Sequence, residues 1–395
     1  MTSVTSVRSS TMQPMPASAD RDRIVGLLRA APLIDGHNDL LWALREAREA
    51  DPPEMLDPAE PCPSLQTDFP RLEAGALGGQ FWSVYVASDL PEHEAATRTF
   101  EQIEALHELT ARHPDRLELA HTADDVERIA ASGKVASMIG VEGGHCIASS
   151  LGVLRALART GAGYMTLTHN DDTPWADSAT GEHPHGGLTA FGEQVVRELN
   201  RLGVLVDLSH VSDDTMRHAI DVSEAPVLFS HSSARTIADV TRNVPDDVLE
   251  MVGRTGGVVM VTFVPEFLTA EGAAVNRAGW AEARRLRAEH PDDPARVTAA
   301  VDAWFAEHDV AATVADVADH VDHVRGVAGV DAIGVGGDFD GAETMPVGLD
   351  DVAGYPALFA ELEDRGYTDD ELMRIAGRNV LRLMRAAERV AAPYA

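Results

Sequence analysis

The sequence predicts an α/β protein folded as a (β/α)8 TIM-like barrel with a helical insertion before the last strand. Eight short apolar runs alternate with helix-like stretches along the 395 residues. Most of these runs are apolar without interruption, which is typical of parallel strands buried on both faces. Titratable side chains stand at the carboxyl ends of the runs, where a barrel builds its active site. An open doubly wound sheet is the alternative fold with the same alternation.

The predicted elements follow one another in a regular order. We expect strands at residues 32–41, 80–87, 135–142, 164–169, 204–210, 226–231, 257–264 and 332–338. The 3.6-residue spacing of apolar side chains indicates helices at 94–112, 151–159, 192–202, 212–219 and 246–252. Thr122 and Ser212, each followed by acidic residues, are expected to cap helix starts, because their oxygens accept free backbone N–H groups.

The remaining segments define the domain organisation. Residues 269–324 are too long for one crossover and are interpreted as two or three inserted helices, and 368–387 as a capped amphipathic helix. The proline-rich segment 51–63 is expected to be a loop. We therefore predict a disordered or mobile tail at 1–22 and a single barrel domain at 23–395.

The charge balance excludes several classes of partner. The chain has 32 Lys and Arg against 64 Asp and Glu, a formal net charge of −32. Nucleic acids and anionic membranes both require clustered basic residues, so neither is an expected partner. We find no apolar run long enough to span a bilayer and no apolar signal segment in the first residues, so a cytoplasmic location is predicted. Two cysteines are too few for a disulfide scaffold or a Cys-rich metal site.

Titratable side chains end six of the eight predicted strands. They are His37 and Asp39, Glu142, His169, His210, His231 and Asp338. A single histidine of this kind is more simply explained as a hydrogen-bonded core residue. Burying so many ionisable groups together is costly without a partner, and a metal ion is the common partner of His, Asp and Glu.

The spacing of these residues predicts two metal positions. His37 and Asp39 are two residues apart on one strand, so their side chains point the same way and can share one ion. His210 and His231 end consecutive strands and can share a second ion. Glu142 has two oxygens and could bridge the ions, which suits hydrolysis of a carbonyl or phosphoryl centre.

Several other polar residues have a structural and a functional interpretation. His183 and His185 lie in a Gly/Pro/Asp-rich loop, and His320 and His323 have helical spacing, so all four are predicted to lie on the surface. Arg242, after the sixth strand, is either a capping or surface arginine or a fork that binds a substrate carboxylate.

The same residues belong to motifs that resemble the renal (membrane) dipeptidase family of the amidohydrolase superfamily. The motifs are Asp35-Gly36-His37-Asn38-Asp39, Gly140-Val-Glu142-Gly-Gly-His145, Leu167-Thr-His169-Asn170, Asp207-Leu-Ser-His210, Ser230-His231-Ser-Ser-Ala234, Arg242-Asn-Val-Pro-Asp246 and Gly336-Gly-Asp338-Phe-Asp340-Gly341. They occur in the family's order from about residue 24 to 390. The resemblance implies a binuclear zinc dipeptidase on a (β/α)8 barrel.

The resemblance also implies a role for each site residue. One zinc ion would bind His37, Asp39 and Glu142, and the second would bind Glu142, His210 and His231. His169 would contact the scissile carbonyl, and Arg242 would bind the C-terminal carboxylate of the substrate. Asp338 would shuttle the proton between a bridging hydroxide nucleophile and the leaving amine, with Asp340 as the alternative.

One feature of the composition agrees with a glutamate bridge. Many amidohydrolases bridge their metal ions with a carbamylated lysine. The only lysine here, Lys134, directly precedes the third predicted strand, so it is expected at the amino end, away from the mouth. The animal family members are secreted and lipid-anchored, and a membrane location is not carried over to this chain.

The expected substrate is a dipeptide, L-Xaa-D-Xaa or L-L, with a homodimer as a possible assembly. Three alternatives remain. The same binuclear site could act on another amide, a lactam or a lactone. The barrel could bind a ligand or metal without catalysis. A metallophosphoesterase has similar chemistry but would need more cationic residues at the mouth.

Overall fold

A closed barrel of parallel strands forms the centre of the protein. The computed structural model describes residues 18–290, 292–308 and 310–392. The strands are β1 Leu33–Asn38, β2 Leu77–Tyr85, β3 Leu117–Leu119, β4 Val135–Glu142, β5 Ala162–Thr166, β6 Leu205–Asp207, β7 Leu228–Phe229, β8 Val258–Val261 and β9 Ile333–Val335. All except β3 close a ring in the order β1-β2-β4-β5-β6-β7-β8-β9, with β9 pairing β1. The predicted (β/α)8 barrel is confirmed, and each of the eight predicted strands is present.

The additional strand β3, which lies outside the ring of eight, was not predicted from the sequence. It pairs with the amino half of β4, where Leu117 faces Val135, while β5 pairs with the carboxyl half, where Val141 faces Met165. The other edge of β4 is occupied by β2. The three residues of β3 contain a glutamate and form no apolar run, so the sequence pattern gives no strand signal there.

Helices surround the barrel on its outer face. They are α1 Ser18–Ala30, α2 Leu40–Glu49, α3 Phe69–Ala74, α4 Glu92–Arg112, α5 Ala123–Ala131, α6 Leu151–Arg159, α7 Ala190–Leu202, α8 Asp213–Val222, α9 Asp246–Thr255, α10 Ala270–Glu289, α11 Pro294–Ala306, α12 Val314–Ala328, α13 Tyr355–Asp364, α14 Asp369–Met373 and α15 Asn379–Val390. The predicted insertion before the last strand consists of the three helices α10 to α12. In the described ranges, no helix is both long enough and apolar enough to cross a bilayer.

The chain ends depart in part from the prediction. Residues 18–22, assigned to the tail, belong to α1, which buries Ile24 and Leu28 against the barrel domain. The rest of the predicted tail, 1–17, lies outside the described residues. Thr368 caps the C-terminal helix as predicted, in a reciprocal capping box with Glu371. A π-helical turn at Arg374–Arg378 then interrupts it.

The predicted helix starts and the predicted loop are also present. Ser212 accepts the backbone N–H of Thr215 at the start of α8. Thr122 forms a capping box with Asp125 at the start of α5. Residues 51–63 contain no helix or strand.

The hydrophobic core has two layers. One fills the barrel, where the rings of Phe81 and Tyr164 pack 5.1 Å apart among Ile34, Met138 and Met260. The other lies between the strands and the surrounding helices. Because the interior is filled with side chains, the barrel is a solid support for its mouth rather than a pore.

Gly140 in β4 makes room for the side chain of Tyr164 inside the barrel. A Cβ atom at this position would lie 2.2 Å from the ring of Tyr164. The ring is fully buried, and its hydroxyl lies 2.8 Å from Nδ1 of His37 at the barrel mouth. Gly140 therefore allows a residue of the barrel interior to support a residue of the mouth.

We expect Gly140→Ala to lower the free energy of unfolding by about 1–3 kcal/mol, because the added methyl group overpacks a filled interior. Urea denaturation of the two proteins measures the difference. Gly26→Ala is the matched control, since Gly26 lies in α1 with nothing within 4 Å of its added Cβ. That change should raise stability by about 0.5–1 kcal/mol through helix propensity. Equal stabilities for Gly140→Ala and the wild type would contradict the packing argument.

Candidate metal centre

The titratable residues predicted at the strand ends lie together at the carboxyl mouth of the barrel. His37 and Glu142 are within strands β1 and β4. The others follow strands directly, on the loops after β1, β5, β6, β7 and β9: Asp39, His169, His210, His231 and Asp338. Parallel strands point their carboxyl ends to one side, so residues far apart in sequence meet there.

Glu142 is the centre of this cluster, with its two oxygens facing different groups. Its Oε2 lies 3.5 Å from Nε2 of His37 and accepts a hydrogen bond of 3.1 Å from Ser83. Its Oε1 lies 3.2 Å from Nε2 of His210 and 3.6 Å from Nε2 of His231. The carboxylate therefore stands between two sets of donors, one for each oxygen.

His210 and His231 point their Nε2 atoms at the same place. These two nitrogens are 2.9 Å apart. Burial keeps the pKa of both histidines well below its usual value, so both rings are neutral and each can offer a lone pair. Two neutral imidazole nitrogens and a carboxylate oxygen are the donor set that zinc prefers.

The other half of the cluster contains buried atoms that could bind a metal ion and have no hydrogen-bond partner. Nε2 of His37 and Oδ1 of Asp39 are buried without a hydrogen-bond partner, and Nε2 lies 3.2 Å from Oδ2 of Asp39. Burial lowers the pKa of His37, but the interactions with Tyr164, Glu142 and Asp39 outweigh it and raise the pKa well above its usual value. The negative charge that favours a proton here would also favour a cation.

Combinations of these residues bring potential ligand atoms within 4.8 Å of one another. The groups are His37, Glu142 and His231; Glu142, His169 and His210; and His37, Asp39 and Asp338. Orphaned donor atoms, neutral imidazoles and buried carboxylates thus fit divalent metal ions.

Asp338 and Asp340 have different surroundings. The Oδ1 atom of Asp338 lies 3.8 Å from Nε2 of His37, inside the cluster. Burial raises the pKa of the Asp338 carboxyl to about 7, with Asp39 and Glu142 adding to the shift. Asp340 instead accepts the backbone N–H of Gln66 at 2.7 Å and donates its own N–H to the Gln66 side chain at 2.7 Å. Asp340 thus fastens a neighbouring loop, while Asp338 faces the centre.

His169 stands at the edge of the cluster against aromatic rings. Its Nε2 lies 3.9 Å from Oε1 of Glu142, and its ring packs 4.9 Å from Tyr85 and 4.4 Å from His210. Burial lowers the pKa of His169 to about 4. At neutral pH the ring is therefore uncharged and can donate or accept a hydrogen bond.

Arg242 is a buried cation beside the cluster. It is 3% exposed, and its guanidinium donates long hydrogen bonds of 3.4 Å to Oγ of Ser232 and to the carbonyl of His231. Its guanidinium carbon lies 5.4 Å from the ring centre of Phe267. Within the described ranges, no carboxylate lies within ion-pair distance of it. Burial lowers its pKa to about 10, so it stays charged and lacks an anionic partner.

The structure also adds polar residues that the sequence analysis did not select. Tyr164 contacts His37, and Ser230 contacts Nδ1 of His231 at 2.8 Å. Asp207 is fully buried beneath Ser230. Asp207 and Ser230 belong to the quoted motifs and Tyr164 lies in an apolar run, but none of these signals indicates which residue is the partner.

Residues expected to lie outside the site do so, although not all of the histidines predicted at the surface are exposed. Lys134 is at the amino end of β4 and pairs with Glu118 at 2.9 Å, far from the mouth, as predicted. His183 is exposed. The surface prediction for His320 is wrong, because it is 0% exposed. Its ring accepts the N–H of Ala234 at 2.9 Å and donates to the carbonyl of Leu268 at 3.0 Å.

Comparison with known proteins agrees with this geometry. The chain matches the family described as membrane dipeptidase (peptidase family M19) over residues 21–395. It is 39% identical over 378 residues to dipeptidase verJ of Clonostachys rogersoniana, covering 92% of this chain and 86% of that relative.

Solved structures share the fold. The probable dipeptidase PvdM from Pseudomonas aeruginosa superposes with a TM-score of 0.81 at 22% identity, over 94% of this chain and 99% of that one. A metallopeptidase from Rhodobacter sphaeroides, liganded with a phosphinate mimic of the dipeptide L-Ala-D-Ala, has a TM-score of 0.74 at 24% identity. That match covers 90% of this chain and 99% of the other.

The family match extends over nearly the whole chain, and the curated relative covers most of it at substantial identity. The resemblance inferred from the motifs is therefore confirmed, and the chain belongs to the membrane dipeptidase family of metallopeptidases, peptidase family M19.

Proposed function

We propose that this protein is a binuclear zinc dipeptidase that hydrolyses dipeptides of the L-Xaa-D-Xaa and L-L classes. The observation that carries the proposal is the position of Glu142, which presents one oxygen to His37 and the other to His210 and His231. A carboxylate between two sets of potential metal-ligand atoms suits two metal ions that share one bridging ligand.

The ligand assignment follows the two sides of Glu142. His37 and Asp39 would hold one zinc ion together with its Oε2 side, and His210 and His231 would hold the other with its Oε1 side. When bound, the two ions would activate a water molecule and polarise the peptide carbonyl. Lys134 is too far from the mouth to provide a carbamylated bridge, which leaves this role to the glutamate.

The groups beside the metal positions suit a short peptide with a free C-terminus. Arg242 is a buried cation without an anionic partner, and a substrate carboxylate would supply the missing charge. His169, uncharged at neutral pH, would donate a hydrogen bond to the carbonyl oxygen as it becomes negative. The phosphinate mimic of L-Ala-D-Ala bound by the Rhodobacter sphaeroides metallopeptidase supports a dipeptide with a D-residue at its C-terminal position.

Asp338 is the residue best placed to move a proton. It faces the cluster, and its raised pKa allows it to accept a proton from the attacking water and return it to the leaving amine. The pKa of Asp340 is also raised, to about 6, but its Oδ1 is held by the backbone N–H of Gln66. This difference favours Asp338 over its alternative.

Metal binding tests the bridge directly. We expect the wild type to bind two zinc ions per chain, to lose activity with a chelator and to regain it with zinc. Glu142→Gln should weaken both metal positions by more than about 100-fold, because outer partners of a ligand alone contribute about 10–100-fold. Asp39→Asn should weaken one position only. Equilibrium dialysis followed by elemental analysis measures both, and loss of a single ion in Glu142→Gln would exclude the bridging role.

The proton shuttle is tested by two isosteric substitutions. Asp338→Asn should retain both zinc ions and lower kcat by about 10²–10⁴-fold, the usual contribution of a general acid–base group. Asp340→Asn should keep a kcat close to wild type, because the amide oxygen can still accept the Gln66 N–H. Steady-state kinetics on zinc-loaded proteins gives the comparison. The assignments must be exchanged if Asp340→Asn is the inactive variant.

The carboxylate role of Arg242 is tested with paired substrates. Arg242→Ala should lower kcat/KM for a free-carboxylate dipeptide by about 10–100-fold, because a charge-assisted hydrogen bond contributes about 1.5–3 kcal/mol. The same dipeptide with an amidated C-terminus is the internal control and should change little. Equal losses for the two substrates would remove Arg242 from this role. A panel with lactams, lactones and N-acyl amino acids would show whether the site prefers another bond.

A further inference from the structure

A buried chain of hydrogen bonds runs from Asp207 to His231. Oγ of Ser230 donates to Oδ2 of Asp207 at 2.7 Å and lies 2.8 Å from Nδ1 of His231. All three residues are 1% exposed or less. The chain ends at the ring nitrogen opposite to Nε2, the atom that points at Glu142.

The direction of these hydrogen bonds is determined by Asp207. Its Oδ1 accepts the backbone N–H groups of Ser209 at 3.2 Å and Ser230 at 2.8 Å. Its Oδ2 accepts the hydroxyls of Thr166 at 2.6 Å and Ser230 at 2.7 Å. Because a carboxylate only accepts, the single hydroxyl proton of Ser230 is committed to Asp207.

The tautomer of His231 follows from that commitment. With its proton on Asp207, Oγ of Ser230 can only accept from the imidazole, so Nδ1 of His231 carries the ring proton. Nε2 then presents its lone pair to the cluster. The outer ring nitrogens of the neighbouring histidines differ: Nδ1 of His37 contacts the hydroxyl of Tyr164, which donates to the carbonyl of Gly36 at 3.2 Å. Nδ1 of His210 is buried without a hydrogen-bond partner.

We infer that Asp207 and Ser230 are positioning residues that fix His231 in its metal-binding tautomer and so set the affinity of the metal position formed with His210. The inference rests on the proposed binuclear site. It adds which residues determine the metal affinity of the position formed by His210 and His231. Outer partners of ligating histidines commonly contribute about 10–100-fold to metal affinity. The anionic end of this chain makes Nδ1 proton release unfavourable and strengthens Nε2 as a ligand.

Asp207→Asn would reverse the direction of these hydrogen bonds rather than remove them. The two backbone N–H groups at Oδ1 require an oxygen there, so the amide nitrogen must take the place of Oδ2. Its N–H groups then point at the Thr166 and Ser230 hydroxyls, which become acceptors at this end. The Ser230 proton is released towards Nδ1 of His231, and the ring proton moves to Nε2, where it opposes metal binding.

The test is a cobalt titration of the metal-free proteins, followed by visible absorption and by competition with a chromophoric chelator. For the wild type we expect two binding constants, and Asp39→Asn identifies the constant of the position with His37. Ser230→Ala should weaken the other constant by about 10–100-fold, and Asp207→Asn should weaken it further. Both variants should leave the His37 position within a few-fold of the wild type.

Two control variants separate tautomer control from general loosening of the site. Thr166→Val removes a buried hydroxyl from the same oxygen of Asp207 without touching His231, and should leave both constants near wild type. Tyr164→Phe removes the hydrogen-bond partner of His37 and should selectively weaken the metal position formed by His37 and Asp39. Thermal melts of the metal-free proteins report any loss of folding.

The outcomes distinguish the inference from the proposed function. A wild type that binds no cobalt would overturn the binuclear site and the inference with it. Two wild-type constants that remain unchanged in Ser230→Ala and Asp207→Asn would overturn the inference alone. Equal weakening by Thr166→Val and Ser230→Ala would also overturn it, because the effect would then not depend on the chain to His231.

Discussion

The buried carboxylate of Glu142 is the constraint on which the rest of the mouth depends. It is 4% exposed and lies within 4 Å of four imidazole rings, on His37, His169, His210 and His231. An ionised carboxylate in such a place is unfavourable unless positive charge compensates it. Burial keeps His169, His210 and His231 neutral, so only a proton on His37 balances the charge of Glu142, and a divalent cation would balance it better. The site is therefore suited to a bound metal ion.

The packing of the barrel interior helps to position the groups that face Glu142. Gly140 and Glu142 lie in the same strand, two residues apart, so they share one face of β4. The missing side chain at Gly140 admits the ring of Tyr164, and the hydroxyl of that ring supports His37, which faces Glu142. The glycine at position 140 thus helps to orient His37 at the mouth.

Sequence reasoning predicted the features that repeat along the chain. Apolar runs with titratable ends indicated both the strands and the cluster, because parallel strands must end on one side. The contacts of Tyr164 with His37 and of Ser230 with Asp207 depend on which residues meet across the barrel, and no spacing rule contains that information. His320 shows the same limit: its helical spacing with His323 resembles a surface stripe, but the loop that carries Ala234 covers it.

The segment after β7 joins the metal centre to the arginine that faces it. Ser230 supports His231, Ser232 accepts a hydrogen bond from Arg242, and the Ser233 N–H donates to the side chain of Asn243 at 3.1 Å. The backbone N–H of His231 is held by Ser209, whose hydroxyl lies 3.2 Å from that of Ser232. These hydrogen bonds hold His231 and Arg242 on the same segment. His320 holds that segment too, because it accepts the backbone N–H of Ala234. In the proposed function, His231 would bind a metal ion and Arg242 the substrate carboxylate, so their separation would limit how many residues can follow the cleaved bond.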